Sequence, residues 1–427
     1  MRLLISSGLV ALCSLYPALD TAAESLVPRG DDIQVNSYTS GNQGFPEIAV
    51  RPDGSFVIAW ESDGQDASKW GVFAQIFNAD GTPFGGEFQV NTTEDDTEWD
   101  PSVAADGAGN FIVAWHGFVS GEGFNVLAQR FDSSGNPLGG EFQANTATAN
   151  YQGNTTVAAQ PSGEFLIVWE SDNQDGEEGG VYAQLYDAAG AAVGQEVRVN
   201  DTTANDQNDA RVAPVDGGYV VTWESFLQDG SEDSTVIRFL DATAAPDGAE
   251  ILVNTEVLGS QEDPAVSVSS DGTIAVVWES TSQDGQGEGI FAQVLDSDGM
   301  AVGGEFQVNA YTTGDQKNPR VAPDGTGGFV AVWTSEDQRD GEDVFGRRFD
   351  SSGALVGEEF EVNAEASSDQ DVPNIAGGPG EQFVVTWRSF GGQDGSNAGV
   401  FARRFQVALF ADGFESGDTS AWSVVVP

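Results

Sequence analysis

Seven tryptophans, Trp60, Trp115, Trp169, Trp223, Trp278, Trp333 and Trp387, recur every 54 or 55 residues. Each ends a short apolar run, such as SFVIAW at 55–60 or QFVVTW at 382–387. A fixed period of this length restricts the chain to a repeat architecture, in which one supersecondary unit is copied and neighbouring copies bury each other's apolar faces.

One unit, residues 45–91, holds four β-type runs: PEIAV, SFVIAW, GVFAQIF and EFQVN. Pro-Asp-Gly at 52–54, the residues around Asp66, and Asn-Ala-Asp-Gly at 78–81 separate them as turns. No stretch keeps a helical period over a useful length. Four short antiparallel strands copied seven times predict an all-β, seven-bladed β-propeller. The runs FVIAW, FIVAW, FLIVW, YVVTW, IAVVW, FVAVW and FVVTW are apolar on both faces, as sheets sandwiched between neighbours require. An up-and-down barrel is the alternative, but it has no need of a 54-residue unit.

The ends predict how the ring closes. The fourth-strand motif occurs at IQVN (33–36), EFQVN (87–91), EFQAN (141–145), EVRVN (196–200), EILVN (250–254), EFQVN (305–309) and EFEVN (359–363). The first copy has no blade before it, and the last blade (373–406) has no copy after it. The strand at Ile33–Asn36 is therefore expected to complete the final blade and remove an open sheet edge.

The motif EFQVN…QxxP…DGGFVVxWxSxxQDGxxxGVxAQxFD resembles a repeat found in many large secreted bacterial proteins. The likeness runs over roughly residues 33 to 406. It implies an extracellular propeller serving adhesion or binding, and it implies no residue-level chemistry.

Arg2, the apolar stretch Leu3–Leu19 and the small residues Thr21-Ala22-Ala23 form a secretory signal pattern over 1–23, followed by a propeller over 31–406 and a tail over 407–427. Export to the extracellular space or periplasm is expected. Cys13, the only cysteine, lies within the signal, so the mature chain has no thiol chemistry. Leu12 before it argues against lipidation. No other segment is long and apolar enough to span a bilayer as a helix. The chain carries 68 acidic residues against 16 basic ones, a net charge of −52, with Lys69 and Lys317 its only lysines. Such a field repels nucleic acid and anionic membranes and attracts cations.

Two groups of residues are candidates for function. The recurrent Gln-Asp-Gly turns between second and third strands offer Asp66, Asp175, Asp229, Asp284 and Asp394, with a shifted copy at Gln338 and Asp340, as oxygen ligands for calcium. An Asp before Gly also caps turns without metal, and no turn has the alternating carboxylates of an EF-hand loop. The second group is where the repeat fails. Blade two reads WHGFVSGEGFNVLAQ (115–129): Gln-Asp-Gly is missing, His116 replaces the usual Glu, and Phe118 and Phe124 appear. Trp70 and Trp99, the tryptophans outside the period within the repeats, are expected on the same face, with Glu94, Asp95, Asp96 and Glu98 beside them. Rings beside carboxylates and amides make a sugar platform, so Trp70, Trp99, His116 and Phe118 are the expected ligand-binding residues.

The expected function is non-enzymatic binding of carbohydrate or of an extracellular surface or matrix protein. The alternatives are a polysaccharide lyase or glycosidase on the same face, with His116 or Tyr151 as a base, and a structural spacer. Against catalysis stand the single histidine, the lack of a G-x-S-x-G motif, and the regularity of the repeat.

Overall fold

A computed structural model describes residues 25–408 except 67–68, 93–96, 340 and 396. Residues 26–407 form one compact unit. The expected signal, nearly all of the expected tail, Glu94, Asp95, Asp96 and Asp340 lie outside the described residues.

The described residues are all strand, turn and loop, arranged as seven antiparallel blades. In blade 1, Gln43–Val50, Phe56–Asp63, Trp70–Phe77 and Pro83–Gln89 pair in chain order. Blades 2 to 6 repeat this order with first strands beginning at Glu98, Gln152, Gln207, Gln261 and Gln316. Blade 7 contributes Gln370–Gly377, Gln382–Phe390 and Ala398–Ala408, and its fourth place is taken by Ile33–Gln34, antiparallel to Ala402 and Phe401. The ring thus closes through the N-terminal strand, as the motif count requires. Two details go beyond that expectation. Ser25–Pro28 adds a further strand to the same sheet, and the fourth strand of blade 2 shrinks to Phe142–Gln143.

Packing explains the period. Every repeat tryptophan is fully buried, and each apolar cluster joins two adjacent blades. Trp115 lies with Val57, Ala59 and Ile76 of blade 1, and Trp60 lies with Val384, Val400 and Ala402 of blade 7. An indole removes on the order of 200 Å² from water, which contributes about 5 kcal/mol before ordering entropy is subtracted.

The polar letters of EFQVN hold the ring as well. Its Asn accepts a third-strand N–H in all seven blades, from Val72, Val126, Val181, Thr235, Ile290, Val344 and Val400, at 2.8–3.0 Å. Its Glu reaches the preceding blade. Glu87, Glu141, Glu196, Glu250, Glu305 and Glu359 accept the N–H groups of Ser37, Thr92, Thr146, Asp201, Thr255 and Ala310. Asp32 in the closing strand does the same for Ala364. Seven carboxylates therefore staple seven interfaces.

Candidate functional site

Each first strand carries a bulge near its start, and the residue within it is left-handed: Phe45, Asp100, Asn154, Asp209, Asp263, Asn318 and Val372, with φ between 45° and 54°. Asp and Asn tolerate that conformation, so the recurring Asp or Asn before Pro in the first strands has a backbone cause. Phe45 and Val372 lack this tolerance and are strained. All seven line a cavity of about 200 Å³ at one mouth of the central channel, together with Glu47, Thr155, Arg211 and Arg320.

A second ring is formed by the residue after each repeat tryptophan: Glu61, His116, Glu170, Glu224, Glu279, Thr334 and Arg388. Each pairs with the residue before the bulge, as His116 does with Trp99 and Glu279 with Glu262. Glu224 accepts the Asp263 N–H at 2.5 Å, Glu61 the Asp100 N–H at 3.4 Å, and Glu279 the Asn318 N–H. Burial, then neighbouring carboxylates, pushes Glu170 up to about 7, Glu61 to about 8, Glu224 to about 9 and Glu279 to about 10. Carboxylate oxygens of Asp209, Glu224 and Asp263 lie within 4.8 Å of one another, as do those of Glu262, Glu279 and Glu288. Burial and like charges this close favour the protonated forms of Glu224 and Glu279 at neutral pH.

Blades 2 and 3 carry the aromatic sector. Trp99 stacks on Phe124 with ring centroids 5.5 Å apart. His116 meets Trp99, Phe124 and Tyr151 edge-on at 6.1, 5.8 and 5.6 Å, and Phe118 meets Phe124 at 5.5 Å. Trp99, Phe118, Phe124 and Tyr151 are half-buried, whereas His116 is only 2 % exposed. Its Nε2 lies 3.9 Å from Asp100, and its Nδ1 has no partner among the described residues. Burial lowers its pKa more than Asp100 raises it, so the imidazole is neutral. Three of the four expected ligand-binding residues are thus brought together. Trp70 is not in the cluster. It holds the position of Phe124 one blade earlier, opposite Asp63 as Phe124 is opposite Phe118, and its backbone bridges to Thr97.

Where blade 7 meets blade 1, Arg388 forms a two-pronged pair with Asp371 at 2.8 and 2.6 Å. Its guanidinium lies over the rings of Phe45 and Phe390 at 4.9 and 4.6 Å.

The five turn aspartates sit one to a blade and are not brought together. The motif Asn donates its amide to Asp175, Asp229 and Asp394 at 3.5, 3.1 and 3.1 Å. Asp175, Asp229 and Asp284 also accept the N–H two residues on. A Cβ at Gly71, Gly289 or Gly399 would come within 2.4–3.0 Å of Asp66, Asp284 or Asp394, which explains the second glycine of the turn motif. In four of the five blades the Gln beside the turn Asp donates to the motif Glu: Gln65 to Glu87, Gln174 to Glu196, Gln228 to Glu250 and Gln283 to Glu305. Where Gln-Asp-Gly is missing or shifted, Asn125 and Asp343 take over the Asn contact. Among the described residues, the groups of acids close enough to share one ion include none of these five.

The fold and this channel mouth define a closed seven-bladed propeller with an asymmetric rim. No family model and no curated protein matches the chain. Among solved structures, a protein of unknown function from Dyadobacter fermentans DSM 18053 is similar over 90% of this chain and 99% of its own, with 9% identity and a TM-score of 0.55. The β-propeller domain of the Trilobed protease from Pyrococcus furiosus covers 88% of this chain and 98% of its own, at 12% identity and TM-score 0.49. The NanB sialidase from Streptococcus pneumoniae covers 89% of this chain over 70% of its own, at 9% identity and TM-score 0.47. At such identities likeness speaks to fold alone.

Proposed function

We propose that the protein is a secreted, non-enzymatic carbohydrate-binding propeller whose ligand lies on the aromatic sector of blades 2 and 3. The observation that carries this is the convergence of Trp99, His116, Phe118, Phe124 and Tyr151 at one sector of the rim. The rings border polar partners: Asp100 beside His116, and Asn154 at 3.4 Å from the Tyr151 hydroxyl. Sugars stack their CH faces on rings while their hydroxyls take hydrogen bonds, and this sector offers both. The resemblance of the repeat to secreted bacterial repeats supports the extracellular assignment.

The test is affinity electrophoresis through gels cast with neutral and acidic polysaccharides. Retardation that disappears in Trp99→Ala is the expected result. Unaltered mobility in every gel overturns the carbohydrate ligand and leaves a protein partner.

A second reading, glycoside hydrolysis, has one observation in its favour. Glu170 is pushed up to about 7, the range of a general acid, with Asp209 as a nearby carboxylate. New reducing ends released by the wild type but not by Glu170→Gln would establish it.

A further inference from the structure

The lumen behind the channel mouth holds two arginines that no protein carboxylate pairs. The residue two past each left-handed bulge forms the next tier of the channel. It meets the same second-strand position in each blade, as Arg211 meets Thr222 and Arg320 meets Val332. Three blades fill this tier with a small side chain, Ser102, Thr156 and Ala265, so the repeat does not call for a large cation there. Blades 4 and 6 place Arg211 and Arg320 in it, and both line the cavity of about 200 Å³.

Both arginines are part-exposed, and what exposes them is the cavity they line. Arg211 donates to the Ala210 carbonyl at 3.3 Å and Arg320 to the Pro319 carbonyl at 2.8 Å. Neither enters an ion pair among the described residues, whereas Arg388 at the same mouth is paired with Asp371. Burial, and then the charge of Arg211, bring Arg320 down to about 10, so it stays charged at neutral pH. Two cations held near each other out of bulk water favour an anion between them. The mouth tier carries the opposite sign, since Asp100, Asp209 and Asp263 line the same cavity. The space is therefore polarised along the channel, with carboxylates at the entrance and guanidinium groups one tier deeper.

We propose that the lumen binds a small monocarboxylate, its carboxylate on Arg211 and Arg320 and hydrogen-bond donors at its other end on the mouth aspartates. Guanidinium groups bind carboxylates through paired, charge-assisted N–H donors. The cavity has the volume of roughly six or seven waters, which suits one amino acid or one sugar acid. A dianion would bring its second negative group against Asp209 and Asp263, whereas an ammonium or a hydroxyl finds acceptors there. This site goes beyond the carbohydrate reading and does not depend on it.

The test is calorimetric titration of the full chain at neutral pH with glycine, glucuronate and propionate. These place an ammonium, hydroxyls or no donor behind the same carboxylate. Glycine or glucuronate is expected to bind, and the one that does identifies the donor; propionate is expected to bind at least about tenfold more weakly. Arg211→Gln and Arg320→Gln are each expected to weaken binding at least about tenfold, and Trp99→Ala to leave it unchanged. Each arginine variant removes an unpaired charge, so neither is expected to melt below the wild type when ligand is absent. No binding of either glycine or glucuronate, equal binding of propionate, or full affinity in both arginine variants overturns the site. Loss of binding in Trp99→Ala overturns it by moving the ligand to the aromatic platform. A lower melting temperature in both arginine variants overturns it by assigning the guanidinium groups to the fold.

Discussion

Blades 2 and 5 are built on the same frame and fill three matching rim positions with opposite chemistry. The residue before the bulge, the residue after the repeat tryptophan and the third-strand residue paired opposite the third position past that tryptophan are Trp99, His116 and Phe124 in blade 2. In blade 5 they are Glu262, Glu279 and Glu288. The first trio packs ring against ring around a neutral imidazole. The second places three carboxylates within 4.8 Å, with Lys317 at 4.0 Å from Glu288. A repeat that holds its core constant can vary its rim freely, because the inter-blade clusters and the stapling carboxylates do not involve these positions. The difference teaches where selection for ligand can act without touching stability.

The comparison is broken most directly by Trp99→Ala, which is expected to weaken polysaccharide retention at least about tenfold, since ring stacking contributes on the order of 1–3 kcal/mol at such platforms. Glu262→Ala on the opposite side should leave retention unchanged. Equal loss from both would mean that the ligand spans the whole rim.

The two sectors also respond to pH with opposite sign. Glu224 and Glu279 bind protons more tightly folded than unfolded, so their contribution to stability is full below about 4.5 and is lost as pH rises through about 9 to 10. His116 binds its proton less tightly when folded, so its contribution is present above about 6.5 and is lost as pH falls below that. Melting curves from pH 5 to 10 should therefore flatten on the alkaline side in Glu279→Gln and on the acid side in His116→Phe. An alkaline limb unmoved by Glu279→Gln would show that the fold does not hold Glu279 protonated.

Smaller effects sharpen the line between frame and rim. Asp229→Ala removes a turn cap and the partner of Asn254, and should cost about 1–3 kcal/mol in urea unfolding. The wild-type midpoint should be the same in calcium and in chelator; a rise in calcium that Asp229→Ala abolishes would make the turn a cation site. Val372→Asn replaces a β-branched residue at φ 47° with one suited to it and should stabilise by about 1 kcal/mol, read in the same experiment.

The propeller, its blade count and its closing strand were legible because core and motif repeat in register, and a period is visible without knowing any contact. The aromatic sector was legible for the converse reason: His116, Phe118 and Phe124 interrupt a pattern. Trp70 stands on the same rim with its backbone bridged to Thr97, two residues from Trp99, but its ring is not among the cluster's ring contacts, a side-chain detail that a linear sequence does not show. The channel mouth was missed. Its signal, Asp or Asn before Pro in several first strands, is itself periodic, and in a linear sequence a ring of residues facing one cavity looks like seven unrelated turn residues. The hydrogen bonds from the motif Asn to Asp175 and Asp229 were not legible because the partners lie 25 residues apart in sequence.

Closure by the N-terminal strand sets an order of events. Asn36 meets Val400 across 364 residues of chain. During synthesis that strand must wait, unpaired, until the last blade emerges, while six blades stack with an apolar face open at either end of the arc. Non-local pairing of this kind is slow, and exposed edges invite pairing with another molecule. Ring closure is thus the last step in making this protein, because it needs the first and the last strands together.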